Sequence, residues 1–160
     1  MNGSHRIAGA LSLALLLALC AYPSASGSAQ ARRAQAISVA LGELGSLSGD
    51  EGQRDALRDA LSAELGRMRE LQVEPAARAR FVLRGSIVRL DREQAGEGER
   101  VRCEVSLIVA ERRGGAVRMM LTGRAAAEGG PNRGDLEGAV LQAAVRGALR
   151  PLRTPPSALR

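Results

Sequence analysis

Between Val101 and Val109 the chain shows its clearest alternation. Val101, Cys103, Val105, Leu107 and Val109 stand at one parity, and Arg102, Glu104 and Ser106 at the other. Successive side chains of a strand leave opposite faces, so this pattern demands a strand with one dry and one wet side. A helix, turning about 100° per residue, would scatter the same apolar positions around its whole circumference. After Arg112-Arg113-Gly114-Gly115 the alternation resumes, with Val117, Met119 and Leu121 apolar and Arg118, Thr122 and Arg124 opposite. That predicts an antiparallel hairpin. A sheet with one dry face needs a cover, and the rest of the chain must supply it.

Two amphipathic segments do so. Ser48-Gly49-Asp50-Glu51 has the form of a capping-box start, and Leu57, Leu61, Leu65 and Met68 then fall on one stripe, which predicts a helix over 51–69. Asp50/Arg54, Asp55/Arg58 and Glu64/Arg67 stand at three- or four-residue spacing on its polar side. Asp135 is suited to cap a second helix over 135–150, with Leu136, Val140 and Ala143 beside Leu141, Val145 and Leu149, and Pro151 to stop it. Ala36–Leu41 reads as a first strand with Ile37, Val39 and Leu41 on one side, followed by a Gly/Ser loop from Gly42 to Gly49. Leu71–Val73 reads as a short strand ended by Pro75, and Phe81–Asp91 as a longer one, with a Glu/Gly-rich loop from Arg92 to Arg100. The expected class is α/β (α+β), two helices packed on one face of a mixed, largely antiparallel sheet of about five strands.

Residues 1–31 read as a leader. Ile7 to Ala21 is almost wholly Ala and Leu, about the length of a signal-peptide core and short for a bilayer span. Ala29-Gln30-Ala31 fits the small-x-small rule for cleavage, with earlier cuts near Ala25 or Gly27 also compatible. The expectation is a periplasmic or secreted protein with no membrane span after cleavage, one domain over 32–152 and a flexible tail over 153–160. Cys20 raises the alternative of a lipid-modified cysteine, and an uncleaved leader would also tether the chain. Against the lipid, Leu19 occupies the position where a lipobox has Gly, Ala or Ser.

Composition narrows the chemistry. All 23 basic residues are arginine, and the one histidine and one tyrosine, His5 and Tyr22, lie within the leader. A processed chain lacking His and Lys cannot run a Ser-His-Asp triad, a lysine Schiff base, a Walker-type phosphate loop or an imidazole metal site. No cofactor is expected, and the reading is of a non-catalytic protein. The contrasting class is a small exported enzyme, a hydrolase or thiol peroxidase, using carboxylates or Cys103. Cys103 sits in the apolar register of its strand, where a thiol is inert. Asp91, Glu93, Glu97 and Glu99 surround Gly96 in the manner of a calcium loop, but Arg102 stands where a closing glutamate belongs. Arg133-Gly134-Asp135 spells an adhesion tripeptide, which a helix start explains as well. The formal net charge of +6 invites a nucleic acid, yet Phe81 is the one phenylalanine, tryptophan is absent, and the arginines are interleaved with acids. No nucleic-acid partner is expected.

The run Phe81-Val82-Leu83-Arg84-Gly85-Ser86-Ile87, followed by Val101–Val109, a glycine turn and a further strand, resembles the TolB amino-terminal domain. It is also similar to the CsgG-like and LpoB-like envelope proteins. The likeness spans Ile37 to Leu152 and implies two helices on one face of a mixed sheet, with an envelope-assembly or binding role. The family's usual Asp-Ala-x-Thr-Gly turn is here Ala110-Glu111-Arg112-Arg113-Gly114-Gly115.

What remains for a partner is the wet face of the sheet. Arg84, Arg102, Glu104, Arg118, Thr122 and Arg124 are the candidate binding residues, with Ser86 and Ser106 between them. Four guanidinium groups countered chiefly by Glu104 would attract an envelope protein or an anionic envelope polymer. Self-association is compatible with the same surface.

Overall fold

The computed structural model describes residues 36–96, 98–129, 135–154 and 159. The leader, its cleavage triplet, Cys20, and Arg133 and Gly134 lie outside them. Chain order is β1 (Ile37–Ser46), α1 (Glu51–Gly66), β2 (Leu71–Val73), β3 (Phe81–Ala95), β4 (Gly98–Glu111), β5 (Val117–Gly129), α2 (Leu136–Leu149) and a 3-10 turn over Arg150–Arg153. The five strands form one sheet in the order β2-β1-β3-β4-β5. β1 runs parallel to β2 and β3, while β3–β4 and β4–β5 are antiparallel. The sheet is therefore evenly mixed, not largely antiparallel. The parallel half follows from the α1 crossover, since a helix inserted between β1 and β2 returns the chain in the same direction.

Val101, Cys103, Val105, Leu107 and Val109 are all buried, as are Leu57, Leu61 and Leu65 of α1 and Met68 just past its end, the helix stopping at Gly66 and not at 69. Both helices cover this inner face. α1 begins where Asp50 accepts hydrogen bonds from the backbone N–H groups of Gly52 and Gln53 at 2.7 and 3.3 Å. Ser48 is not the cap; its hydroxyl donates to Gln53 Oε1 instead. Of the expected helix-surface pairs, Arg58–Asp55 and Arg67–Glu64 form, each at 2.8 Å. Arg54 pairs with Glu51 in place of Asp50, because the Asp50 carboxylate is engaged at the helix end.

Glu64 is 2% exposed and accepts from Arg67 on its own helix and from Arg146 on α2, at 2.8 and 2.9 Å. The Arg146 guanidinium, seconded by Arg67, holds its carboxyl below the ordinary range. A buried carboxylate needs such partners, and here the requirement ties the two helices together. α2 approaches β5 closely at Gly123, which pairs with Val105 and faces the buried Ala144 and Ala148.

Several local expectations are corrected. β1 does not stop at Leu41 but runs to Ser46 beside β3, through a register shift between Leu41 and Leu44. The expected loop Arg92–Arg100 is mostly ladder: β3 continues to Ala95, the chain turns at Gly96 (φ 61), and β4 starts at Gly98. Charged residues suit this extension, since it projects into water and is held by cross-strand pairing such as Glu93↔Arg100. Val117 is 56% exposed, not part of the dry face, because a shift between Val109 and Ala110 sets it opposite Ala110. On α2, Ala143 is exposed, and Ala144 and Ala148 take the inward positions. Of the tail, Arg153 ends the 3-10 turn and Leu159 lies in the core, 1% exposed.

Candidate functional site

The outer face of β3, β4 and β5 is the surface that the helices leave uncovered. Strand register sorts its side chains into cross-strand rows. At the end where β3 begins stand Val82–Ala110–Val117 and then Arg84–Ile108–Met120. A hydroxyl row follows, Ser86–Ser106–Thr122. Beyond it come Arg89–Glu104–Arg124, Asp91–Arg102–Ala126 and Glu93–Arg100–Glu128. Large apolar side chains thus gather in the first two rows, beside Arg84, and arginine–carboxylate pairs in the last three.

Arg84, Arg102, Glu104, Thr122 and Arg124 stand in these rows and Arg118 falls at the register shift beside the first of them, but most of their charges are paired. Arg124 donates to Glu104 at 2.8 Å, Arg102 to Glu93 at 3.0 Å, and Arg118 to Glu111 at 3.0 Å through its Nε. Arg100 likewise bonds Glu128, and Arg89 pairs with Asp91 at 2.8 Å. The Arg124 hydrogen bond holds the Glu104 carboxyl below the usual range, and the same contact raises the Arg124 guanidinium. A field of four guanidiniums met chiefly by Glu104 is therefore corrected: Glu93 and Glu111 share the work. Arg84 alone of the four has no carboxylate partner among the described residues. Pairing occurs because antiparallel register sets arginine and glutamate opposite or diagonal to one another, within side-chain reach.

Sequence reasoning missed the apolar half of the face. Met120 is 73% exposed at the same parity as Arg118 and Thr122, between Ile108 and open solvent. Its parity was a usable signal, whereas the outward turn of Val117 depends on a shift that no pattern in the sequence marks.

Arg89, Arg102, Cys103, Glu104, Arg124, Ala125 and Ala126 outline a shallow hollow of about 310 Å³ in the ionic half. Cys103 is a buried free cysteine, and burial pushes its thiol up to about 11. Such a thiol holds almost no thiolate at neutral pH. Alkylation of the native protein near pH 7.5 is expected to be at least tenfold slower than that of the urea-unfolded chain. Native labelling as fast as unfolded labelling would restore the thiol-enzyme reading. The Asp91–Glu99 segment is a strand end rather than a cation loop, with Asp91 and Glu93 occupied by Arg89 and Arg102. No group of three or more His, Cys, Asp or Glu is placed to hold a metal among the described residues. No helix among them is long and apolar enough to cross a membrane.

The fold defines a class: two helices laid on one face of a five-stranded mixed sheet whose outer face stays open. The chain matches no family model and no curated protein. Solved structures with this arrangement include the PelC dodecamer from Paraburkholderia phytofirmans, at 16% identity and a TM-score of 0.58 over 74% of this chain and 89% of that one. A protein of family DUF330 from Xanthomonas campestris is similar at 12% identity and a TM-score of 0.56, over 74% and 82% of the two chains. A minor lipoprotein from Acinetobacter baumannii gives 16% identity and a TM-score of 0.52, over 73% and 92%. At these identities the likeness establishes the fold.

Proposed function

We propose that this chain is an exported, non-catalytic binding or assembly module of a bacterial envelope. It docks an envelope protein or an anionic envelope polymer on the outer face of β3–β5. The observation that carries the reading is the graded face itself. Exposed Met120 beside Arg84 at one end, a hydroxyl row, and paired arginines and carboxylates at the other lie on one uncovered surface, and this is the composition of an interface rim and core laid side by side. The leader in the sequence and the likeness to a named lipoprotein support the compartment, with residence in the periplasm, secretion, or tethering through the leader or Cys20. The finer resemblance to TolB, CsgG-like and LpoB-like proteins, carried by Phe81–Ile87 and the hairpin, points the same way. PelC is a dodecamer, which supports self-association as one use of such a fold.

The roles follow from position. Arg84 offers a guanidinium without a carboxylate partner among the described residues. Arg102, Arg118 and Arg124 offer guanidiniums whose glutamate partners a stronger acidic ligand would displace, while Glu104 and Thr122 supply acceptor and hydroxyl contacts. Photo-crosslinking in cells tests this. A crosslinker at Met120 should capture a partner, one at Arg58 on the solvent side of α1 should not, and the pair Arg102→Glu with Arg124→Glu should abolish capture without unfolding the chain. If the double variant folds and captures the same partner with the same salt dependence, docking lies elsewhere.

A further inference from the structure

One end of the domain collects basic groups on two separate segments, the β2–β3 connection and the β4–β5 turn. Arg78, Arg80, Arg112 and Arg113 line a hollow of about 280 Å³ with Ala79 and Glu111. The segments are locked together: the Arg112 backbone N–H donates to Arg80 O at 2.9 Å, and Arg112 Nε donates to Ala79 O, also at 2.9 Å. Arg80 lies over the Phe81 ring, 4.9 Å from its centroid. Among the described residues Glu111 is the only carboxylate lining the hollow, and it already accepts from Arg118. Arg78 and Arg113 are exposed and make no ion pair among the described residues. Exposed Val117 and Met120 border this end from the outer face.

The amino-terminal segment enters the domain at the same end. Ile37 pairs with Leu71, and Ser38 Oγ accepts from the Arg80 backbone N–H at 3.0 Å. Just upstream in the sequence stand Arg32 and Arg33, and before them the apolar run Ile7–Ala21. We propose that this end of the domain, through Arg78, Arg80, Arg112 and Arg113, docks on the phosphate headgroups of an anionic phospholipid bilayer. Guanidinium groups bind phosphate oxygens in bidentate fashion and are weakly hydrated. Spread over two segments, they form a rim suited to a surface, and the exposed valine and methionine beside them can enter the headgroup layer. Each guanidinium near an anionic surface raises partitioning about fivefold. Docking would fix the orientation of the domain, with the ionic tip of the β3–β4 hairpin pointing away from the bilayer.

Fluorescence transfer from the protein to headgroup-labelled vesicles tests that orientation. The full chain carrying Cys20→Ser is labelled at Ala116→Cys in the basic end or at Gln94→Cys in the hairpin tip, positions roughly 45 Å apart at strand rise. On vesicles of phosphatidylcholine with phosphatidylglycerol, transfer should be several-fold stronger from position 116 than from position 94. A variant reversed in charge at Arg78 and Arg113 keeps the apolar run Ile7–Ala21, so it separates docking of the domain from attachment through that run. The preference should vanish on pure phosphatidylcholine, in high salt, and in Arg78→Glu with Arg113→Glu, a pair chosen because neither side chain holds the fold together. Equal transfer from the two positions overturns the proposal. So does a preference that persists on neutral lipid or in the charge-reversed variant.

Discussion

Gly123→Ala is expected to remove most of the stability of the domain, by about 4 kcal/mol or more, a size reserved for a few specific kinds of substitution. Gly123 lies in the middle of β5, where its missing side chain leaves room for α2. A Cβ built there would stand 1.9 Å from Ala144 O and 2.7 Å from Ala148 N. Both atoms belong to helix backbone, so no side-chain rotation relieves the clash. The helix must lift from the sheet, and with it go the buried contacts of Val140, Leu141, Val145 and Leu149. Overpacking usually costs about 1–3 kcal/mol because flexible side chains yield; rigid backbone takes the cost past that range. Urea unfolding followed by far-ultraviolet circular dichroism measures the effect. A shift worth less than about 1 kcal/mol would show that α2 can move away freely.

Phe81→Ala comes next, with an expected loss of about 3–5 kcal/mol. Phe81 is fully buried at the start of β3, between Val39 of β1 and Glu111 of β4, and is the largest side chain of the core. Domains of this kind are stable by roughly 5–15 kcal/mol, so the truncated chain is marginal. Phe81→Leu, which keeps most of the volume, should cost under about 1.5 kcal/mol. Equal losses from the two substitutions would mean that the ring matters through Arg80 stacked on it and not through the space it fills. The same denaturant titration separates these outcomes.

These two positions also mark how far the sequence could be read. The dry face of β4 and the stripe of α1 were legible because burial is one-sided there, and one-sided burial leaves a period of two or of 3.6. Beyond the core the period stops. Gln94 and Glu99 pair across a hairpin whose two sides both meet water, so nothing apolar marked them as strand. Val117 is apolar and exposed because of a one-residue shift in pairing, and a shift of one exchanges the faces. The contact at Gly123 is tertiary: its neighbours lie on a helix more than twenty residues away in sequence. On the outer face, alternation gave Arg102 and Arg124 their outward parity, but register sets Arg118 near the opposite end of β5. Alternation could not say that Glu93, Glu104 and Glu111 would meet them, since partners across strands are chosen by register.

The ordering of rows along β3–β5 has a consequence for recognition. A uniformly charged surface accepts a ligand in many poses, but this one carries a direction. A partner turned end for end would bring its apolar groups onto Arg102, Arg124 and their glutamates, and its acidic groups onto a row where Arg84 is the one guanidinium beside Ile108 and Met120. A partner displaced by one pleat repeat along the strands would meet hydroxyls where it needed guanidiniums. The face therefore works as a polarised track that sets both the heading and the position of whatever lies on it, before any single contact is strong.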